Sequence, residues 1–150
     1  MSWKTILVPH DFSSSANHAA ALARDEAKVH GAKILLLHVI DIPPSFETTS
    51  VIPPETGAPI NAKDYAVATA EKHLEDIAAR LAKDGATATT FIRVGNPVDQ
   101  INIFAGENNV DLIIMGTHGR SGLQHLLVGS VAERIVRTSV KPVLTIRHPT

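Results

Sequence analysis

Short apolar runs alternate with helical patterns from one end of the chain to the other, and nothing else in the sequence restricts the fold so tightly. Residues 5–9, "TILVP", form the first run and end at Pro9-His10-Asp11. An alanine-rich stretch, "SSSANHAAALARDEAKVHG", follows; it opens on serines suited to capping and stops at Gly31. Residues 33–40, "KILLLHVI", are almost continuously apolar, as expected of a strand covered on both faces. A long helix is expected from Asn61 as cap, with Asp64 at its third position, to a terminator at Gly85; Leu74, Ile77, Ala78 and Leu81 give it an apolar stripe. Thr87 to Val94 is β-branched and strand-like, and Gly95-Asn96-Pro97 supplies a turn, a cap and a first-position proline for a helix to about Glu107. Residues 111–116 read as the fourth strand, 131–139 as the fourth helix and 142–147 as the fifth strand.

Strands and helices in strict alternation imply parallel strands joined by right-handed crossovers. The expected fold is α/β: a single doubly wound open sheet of five parallel strands with four helices, strand order 3-2-1-4-5, in one domain over residues 1–150. In such a sheet a ligand sits beyond the carboxyl ends of the strands where the order reverses, here strands 1 and 4. Asp11 and Gly116 fall at those two ends. The one irregular segment, 41–60, holds Pro43, Pro44, Pro53, Pro54 and Pro59, so it reads as a surface loop or flap and not as a helix or central strand.

Composition narrows the function classes. A net charge of −1 lacks the basic excess of a dedicated nucleic-acid binder. Apolar runs such as Ile34 to Leu37 are far too short to span a bilayer, and Trp3-Lys4 leads into a strand pattern, so no leader-like segment is expected. With no cysteine there is neither a disulfide framework nor thiol chemistry. The expectation is a cytoplasmic protein with no nucleic-acid or membrane partner.

The stretch between the fourth strand and fourth helix, "MGTHGRSGLQHLLVGS", carries the chemistry. It contains no Walker loop, because no lysine occurs between Asp84 and Lys141, and its glycines are spaced wrongly for a Gly-x-Gly-x-x-Gly turn. What stands there is Gly116-x-x-Gly119, nine residues, then Gly129-Ser130. Glycines at 116 and 119 allow positive φ and a close approach of backbone N–H groups to a phosphate. Gly129-Ser130 opens a helix whose unpaired N–H groups and dipole favour an anion, and His118 and Arg120 add side-chain donors. Two such features at the ends of one loop suit a polyphosphate. Capping competes for one of them, since Ser130-Val-Ala-Glu133 has the form of a capping box.

With these residues in view the chain resembles the universal stress protein family over nearly its whole length. "ILVPHDFS" is similar to that family's first strand and turn, "LLHVID" to its second strand, and "MGTHGRSGLQHLLVGSVAERIVRTSVKPVLTIR" to its C-terminal signature. The Gly-x2-Gly-x9-Gly-Ser/Thr pattern of the ATP-binding branch is met by Gly116, Gly119, Gly129 and Ser130. The resemblance implies ATP binding, with Mg²⁺ or Mn²⁺ accompanying the phosphates. It implies Asp11 on the ribose hydroxyls, and Pro9, His10 and the backbone of Val39 beside the adenine. Met115 and Gly116 would support the ribose and first phosphate, and His118, Gly119, Arg120, Gly129, Ser130 and Val131 the rest. His10 stands where relatives often carry threonine. The resemblance also implies a homodimer through residues 142–147, in keeping with a short apolar strand at a sheet edge.

Several of these residues also admit plainer readings. Asp11 could simply cap the first helix or bond the amides of Ser13 and Ser14. His118 and His125 lack a nearby acidic or cysteine partner, so no metal site is expected; His30 and His73 are expected to face solvent, and Trp3 to pack. Gly119-Arg-Ser121-Gly122 misses the nucleophile elbow because Leu123 stands at its last position. No catalytic residue is identifiable. The leading expectation is a nucleotide-dependent switch in stress response or signalling, in which the nucleotide orders the 117–128 loop and hydrolysis is at most slow. The alternatives are a slow ATPase or nucleotidyl-transfer enzyme, or a partner-binding stress protein using another adenine nucleotide. A phospho-receiver domain is excluded, since Asp11 has no acidic neighbour and the third strand ends in "RVGN".

Overall fold

Alternate residues of each central strand point to opposite faces, and here both faces are apolar, so both must be covered. In the computed structural model, which describes residues 2–117 and 129–147, helices cover them. The elements are β1 (Thr5–Pro9), α1 (Ser14–His30), β2 (Lys33–Ile40), β3 (Ser50–Val51), β4 (Ile60–Asn61), α2 (Ala62–Lys83), β5 (Ala88–Val94), α3 (Pro97–Glu107), β6 (Leu112–Gly116), α4 (Ser130–Thr138) and β7 (Val143–Ile146).

The main sheet runs β5-β2-β1-β6-β7, all neighbours parallel. Counting only these long strands, that is the expected order 3-2-1-4-5, with the reversal between β1 and β6. Ile6, Val8, Ile34, Leu36, Leu112 and Ile114 face α1 and α2 on one side. Leu7, Leu35, Leu37, Ile113 and Met115 face α3 and α4 on the other, around Phe104 and Ile135. The segment 41–60 contributes no strand to this sheet. It makes a 3-10 turn at Pro44–Glu47 and a separate antiparallel ribbon, β3 with β4, that leads into α2. Among the described residues no helix is long and apolar enough to cross a membrane.

Local signals act where the sequence put them. The Ser13 hydroxyl accepts from the Ala16 amide at the start of α1, and Gly31 closes that helix in the left-handed conformation (φ 67°). Asn61 accepts from Lys63 and Asp64 at the start of α2, and Asn96 from Asp99 at the start of α3. Asp111 ties β1 to the turn before β6, its carboxylate accepting from the amides of Lys4 and Thr5 at 2.8 and 2.9 Å. Those bonds hold its pKa below the usual carboxylate value.

Three expectations need correction. Gly116 does not use positive φ. A Cβ there would lie 2.1 Å from Ser15 Oγ and 2.8 Å from the Ser15 backbone, so glycine is needed because the first turn of α1 crosses the end of β6 at close range. The capping box at Ser130 is not formed: the cap of α4 is Gly129, and Glu133 pairs instead with Arg137. A box needs its serine one position outside the helix, and here Ser130 is already inside. His30 is only 20% exposed at its side chain, within 3.4 Å of Glu26 and edge-on to Trp3, because Trp3 packs back over the end of α1. His73 is exposed as expected, although its ring meets the edge of Phe12.

Candidate functional site

A pocket of about 280 Å³ opens beyond the carboxyl ends of β1, β2 and β6, where strand order reverses and the two flanking crossovers depart to opposite faces. Its size is close to the lower end for small-molecule sites. Pro9, His10, Asp11, Val39, Met115, Gly116, Gly129, Ser130 and Val131 all line it. These residues come from four separate parts of the chain, and the parallel register brings the three strand ends together: Pro9 lies opposite Leu37, and Leu7 opposite Ile113. His118, Gly119 and Arg120, and His125, lie outside the described residues.

The lining divides by chemistry. Leu37, Val39, Pro97 and Ile101 make an apolar wall contributed by β2 and α3. The β1–α1 turn and the start of α4 contribute the polar part of the lining. Asp11 belongs to it, and its Oδ1 accepts from the Ser13 amide at 3.0 Å, so the carboxylate serves the local turn and the pocket together. Gly129 adopts an extended conformation (φ −68°, ψ 159°), its amide donates to the Thr117 carbonyl, and no side chain caps α4. The first amides of a helix have no partner within it. At α4 these amides belong to Ser130, Val131 and Ala132, all three of which line the pocket. Helix dipole and unpaired N–H groups therefore favour negative charge at this end.

His10 lines the pocket while its ring is bonded inside the protein. It is 2% exposed. Its Nδ1 accepts from the Phe12 amide at 2.9 Å, and its Nε2 lies 3.0 Å from Asn17 Oδ1. An amide can only donate and a side-chain carbonyl can only accept, so the proton sits on Nε2 and the ring is neutral. Burial pushes its pKa down to about 4, partly offset by the bond to Asn17 and the charge of Asp11. Both ring nitrogens are thus engaged within the protein.

Sequence reasoning missed Leu37, His38, Pro97, Ile101, Thr117, Ser13, Ala16 and Ala132 as lining residues. The signal available for Leu37 and His38 was their place at the carboxyl end of strand 2. Pro97 and Ile101 carried none, because α3 reaches the pocket only by packing across β2. Among the described residues no group of three or more His, Asp or Glu side chains converges on a metal position.

A profile of the Universal stress protein family matches residues 2–147. Universal stress protein MJ0531 of Methanocaldococcus jannaschii is 31% identical over 98% of this chain and 84% of its own length. Universal stress protein MJ0577 of the same organism is 30% identical over 97% of this chain and 96% of its own. The solved structure of MJ0577 superposes with a TM-score of 0.84 at 31% identity, over 100% of this chain and 99% of the other. A universal stress protein solved in complex with cAMP superposes with a TM-score of 0.68 at 26% identity, over 98% of each chain.

Proposed function

The chain belongs to the universal stress protein family, and from that premise we propose that it binds an adenine nucleotide, ATP with Mg²⁺ or Mn²⁺, in the pocket at the β1/β6 reversal. The observation that carries this reading is that apolar residues and an uncapped helix start line one pocket. A planar base suits Leu37, Val39, Pro97 and Ile101. The Asp11 carboxylate can accept from ribose hydroxyls, and the first amides of α4 suit a phosphate. Gly116, His118, Gly119 and Arg120 complete the expected phosphate cradle, and the metal ion enters with the phosphates as a nucleotide complex. The relative solved with cAMP supports an adenine nucleotide at this fold's site without selecting ATP.

The role is a nucleotide-dependent switch in a cytoplasmic stress response, not a fast enzyme. The one carboxylate that lines the pocket among the described residues, Asp11, already accepts from a backbone amide, and none of those lining residues is a lysine. Among the described lining residues that leaves no evident base to activate water and no lysine poised for phosphoryl transfer. Hydrolysis is at most slow. A homodimer through β7 is part of the same reading: Val136, Val140 and Leu144 are exposed apolar residues on α4, the turn after it, and β7, and β7 is a terminal strand of the sheet.

Calorimetry with Mg-ATP and with cAMP, on pure protein, tests the central claim. Saturable binding of Mg-ATP supports it; no heat with either nucleotide overturns it, and heat with cAMP alone replaces ATP by the cyclic nucleotide. Many turnovers per site per minute in a phosphate-release assay would replace the switch by an ATPase.

A further inference from the structure

The backbone bends sharply between β1 and α1, and Phe12 takes up the bend at φ 68°. That region is rarely occupied by a residue with a side chain, least of all an aromatic one, so the surroundings must hold it. They do so from three directions. His10 Nδ1 accepts from the Phe12 amide, and His10 Nε2–H donates to Asn17 in the first turns of α1. The His10 backbone is fixed to β2 on both sides, its amide donating to the Leu37 carbonyl at 2.8 Å and its carbonyl accepting from His38 Nδ1 at 2.7 Å. The Phe12 ring stacks on His38 with centroids 4.4 Å apart and meets His73 of α2 edge-on at 5.3 Å.

Asp11 is the residue between. Its carboxylate lines the pocket and also accepts from the Ser13 amide, so its direction is set by the same turn. We propose that His10 is a positioning residue: bonded at both ring nitrogens within the protein, it holds the 10–13 turn in the one conformation that presents Asp11 to the ligand. This rests on the nucleotide reading above and gives His10 a part in it other than contact with the base. The neutral Nε2–H form is the only one that makes both bonds, since a proton on Nδ1 would face the Phe12 N–H. Asp11 on the same turn, His38 on β2, and Arg80 and His73 on α2 are the titratable and charged groups around this cluster.

The test uses His10→Asn, whose Oδ1 falls where Nδ1 sits and keeps an acceptor for the Phe12 amide, and His10→Val, which offers none. Nitrogen-edited NMR of the unliganded wild type should show the Nε2–H tautomer and a Phe12 amide protected from exchange. H10V, folded by circular dichroism, should lose that protection and bind Mg-ATP at least about tenfold more weakly, the scale of one part-buried donor left without its acceptor. H10N should restore the protection and most of the affinity. Should H10V not fold, His10→Gln serves in its place, since its amide reaches toward Asn17 and leaves Phe12 without an acceptor. Wild-type affinity in H10V (or H10Q), or a Phe12 amide that exchanges equally fast in all forms, overturns the proposal. If the wild type bound no nucleotide, the binding reading would fall, and loss and return of Phe12 protection across the variants would decide the positioning of the turn.

Discussion

At the scale of single residues, two positions carry consequences that can be measured without any ligand. His10 is buried, neutral in the folded protein, and held at a pKa of about 4 against an ordinary 6.5. The unfolded chain therefore takes up a proton first as the solution is acidified. The contribution of the neutral ring is complete above pH 6.5 and is lost as pH falls toward 4, amounting to about 3 kcal/mol at the end of that window. Urea titrations at pH 7, 5.5 and 4.5 should show the wild type losing stability faster than H10N, which has no imidazole to protonate; parallel losses would contradict the buried neutral ring. Gly116 is the second position. Gly116→Ala puts a methyl group against both the side chain and the backbone of Ser15, so α1 must move off β6, at a cost of about 1–3 kcal/mol. The double variant with Ser15→Ala should recover little, because the backbone contacts at 2.8 Å remain. Thermal melts of the wild type and both variants check this. The glycine is legible in the sequence, but its reason is not: phosphate approach and helix packing both ask for a missing Cβ.

At the scale of elements, α4 sets stability against function. Its cap is a glycine with no side chain to accept from the helix amides, and its conformation (φ −68°, ψ 159°) suits any residue. Gly129→Asp should therefore stabilise the helix by a few tenths of a kcal/mol, through a cap bond and a favourable charge at the dipole. The same carboxylate would occupy and repel the place intended for phosphate. The expected result is a slightly raised melting temperature with Mg-ATP binding abolished in calorimetry; unchanged affinity would remove the α4 amides from the site. Caps at Ser13, Asn61 and Asn96 were readable because each depends on one side chain and the next turn. The capping box at Ser130 is not formed because two consecutive residues can serve as the cap, and the tertiary bond from the Gly129 amide to the Thr117 carbonyl accompanies the choice of Gly129.

At the scale of the whole molecule, the sheet leaves β7 as a terminal strand with apolar neighbours in solvent, Val140 at 92% and Val136 at 55% exposed. Burying such a patch against its own copy would be favourable by about 25 cal/mol per Å² of apolar surface. Analytical ultracentrifugation at micromolar concentration should give a dimer, and Leu144→Lys should shift it to monomer with the fold retained by circular dichroism. A monomeric wild type would overturn the dimer.

Between these scales lies the division of what was readable. Strand and helix periods, the caps at Ser13, Asn61 and Asn96 and the reversal of strand order follow from the sequence alone, because each is decided by neighbours within a few residues or by the chirality of a crossover. The fold class and the place of the pocket come with them. Tertiary structure alone decided that Pro97 and Ile101 reach the pocket across β2, that Gly116 makes room for Ser15, and that His10 turns its ring inward to Phe12 and Asn17. Each of those depends on which elements pack together, at what distance and in which register, and a linear pattern carries no record of distance across a sheet.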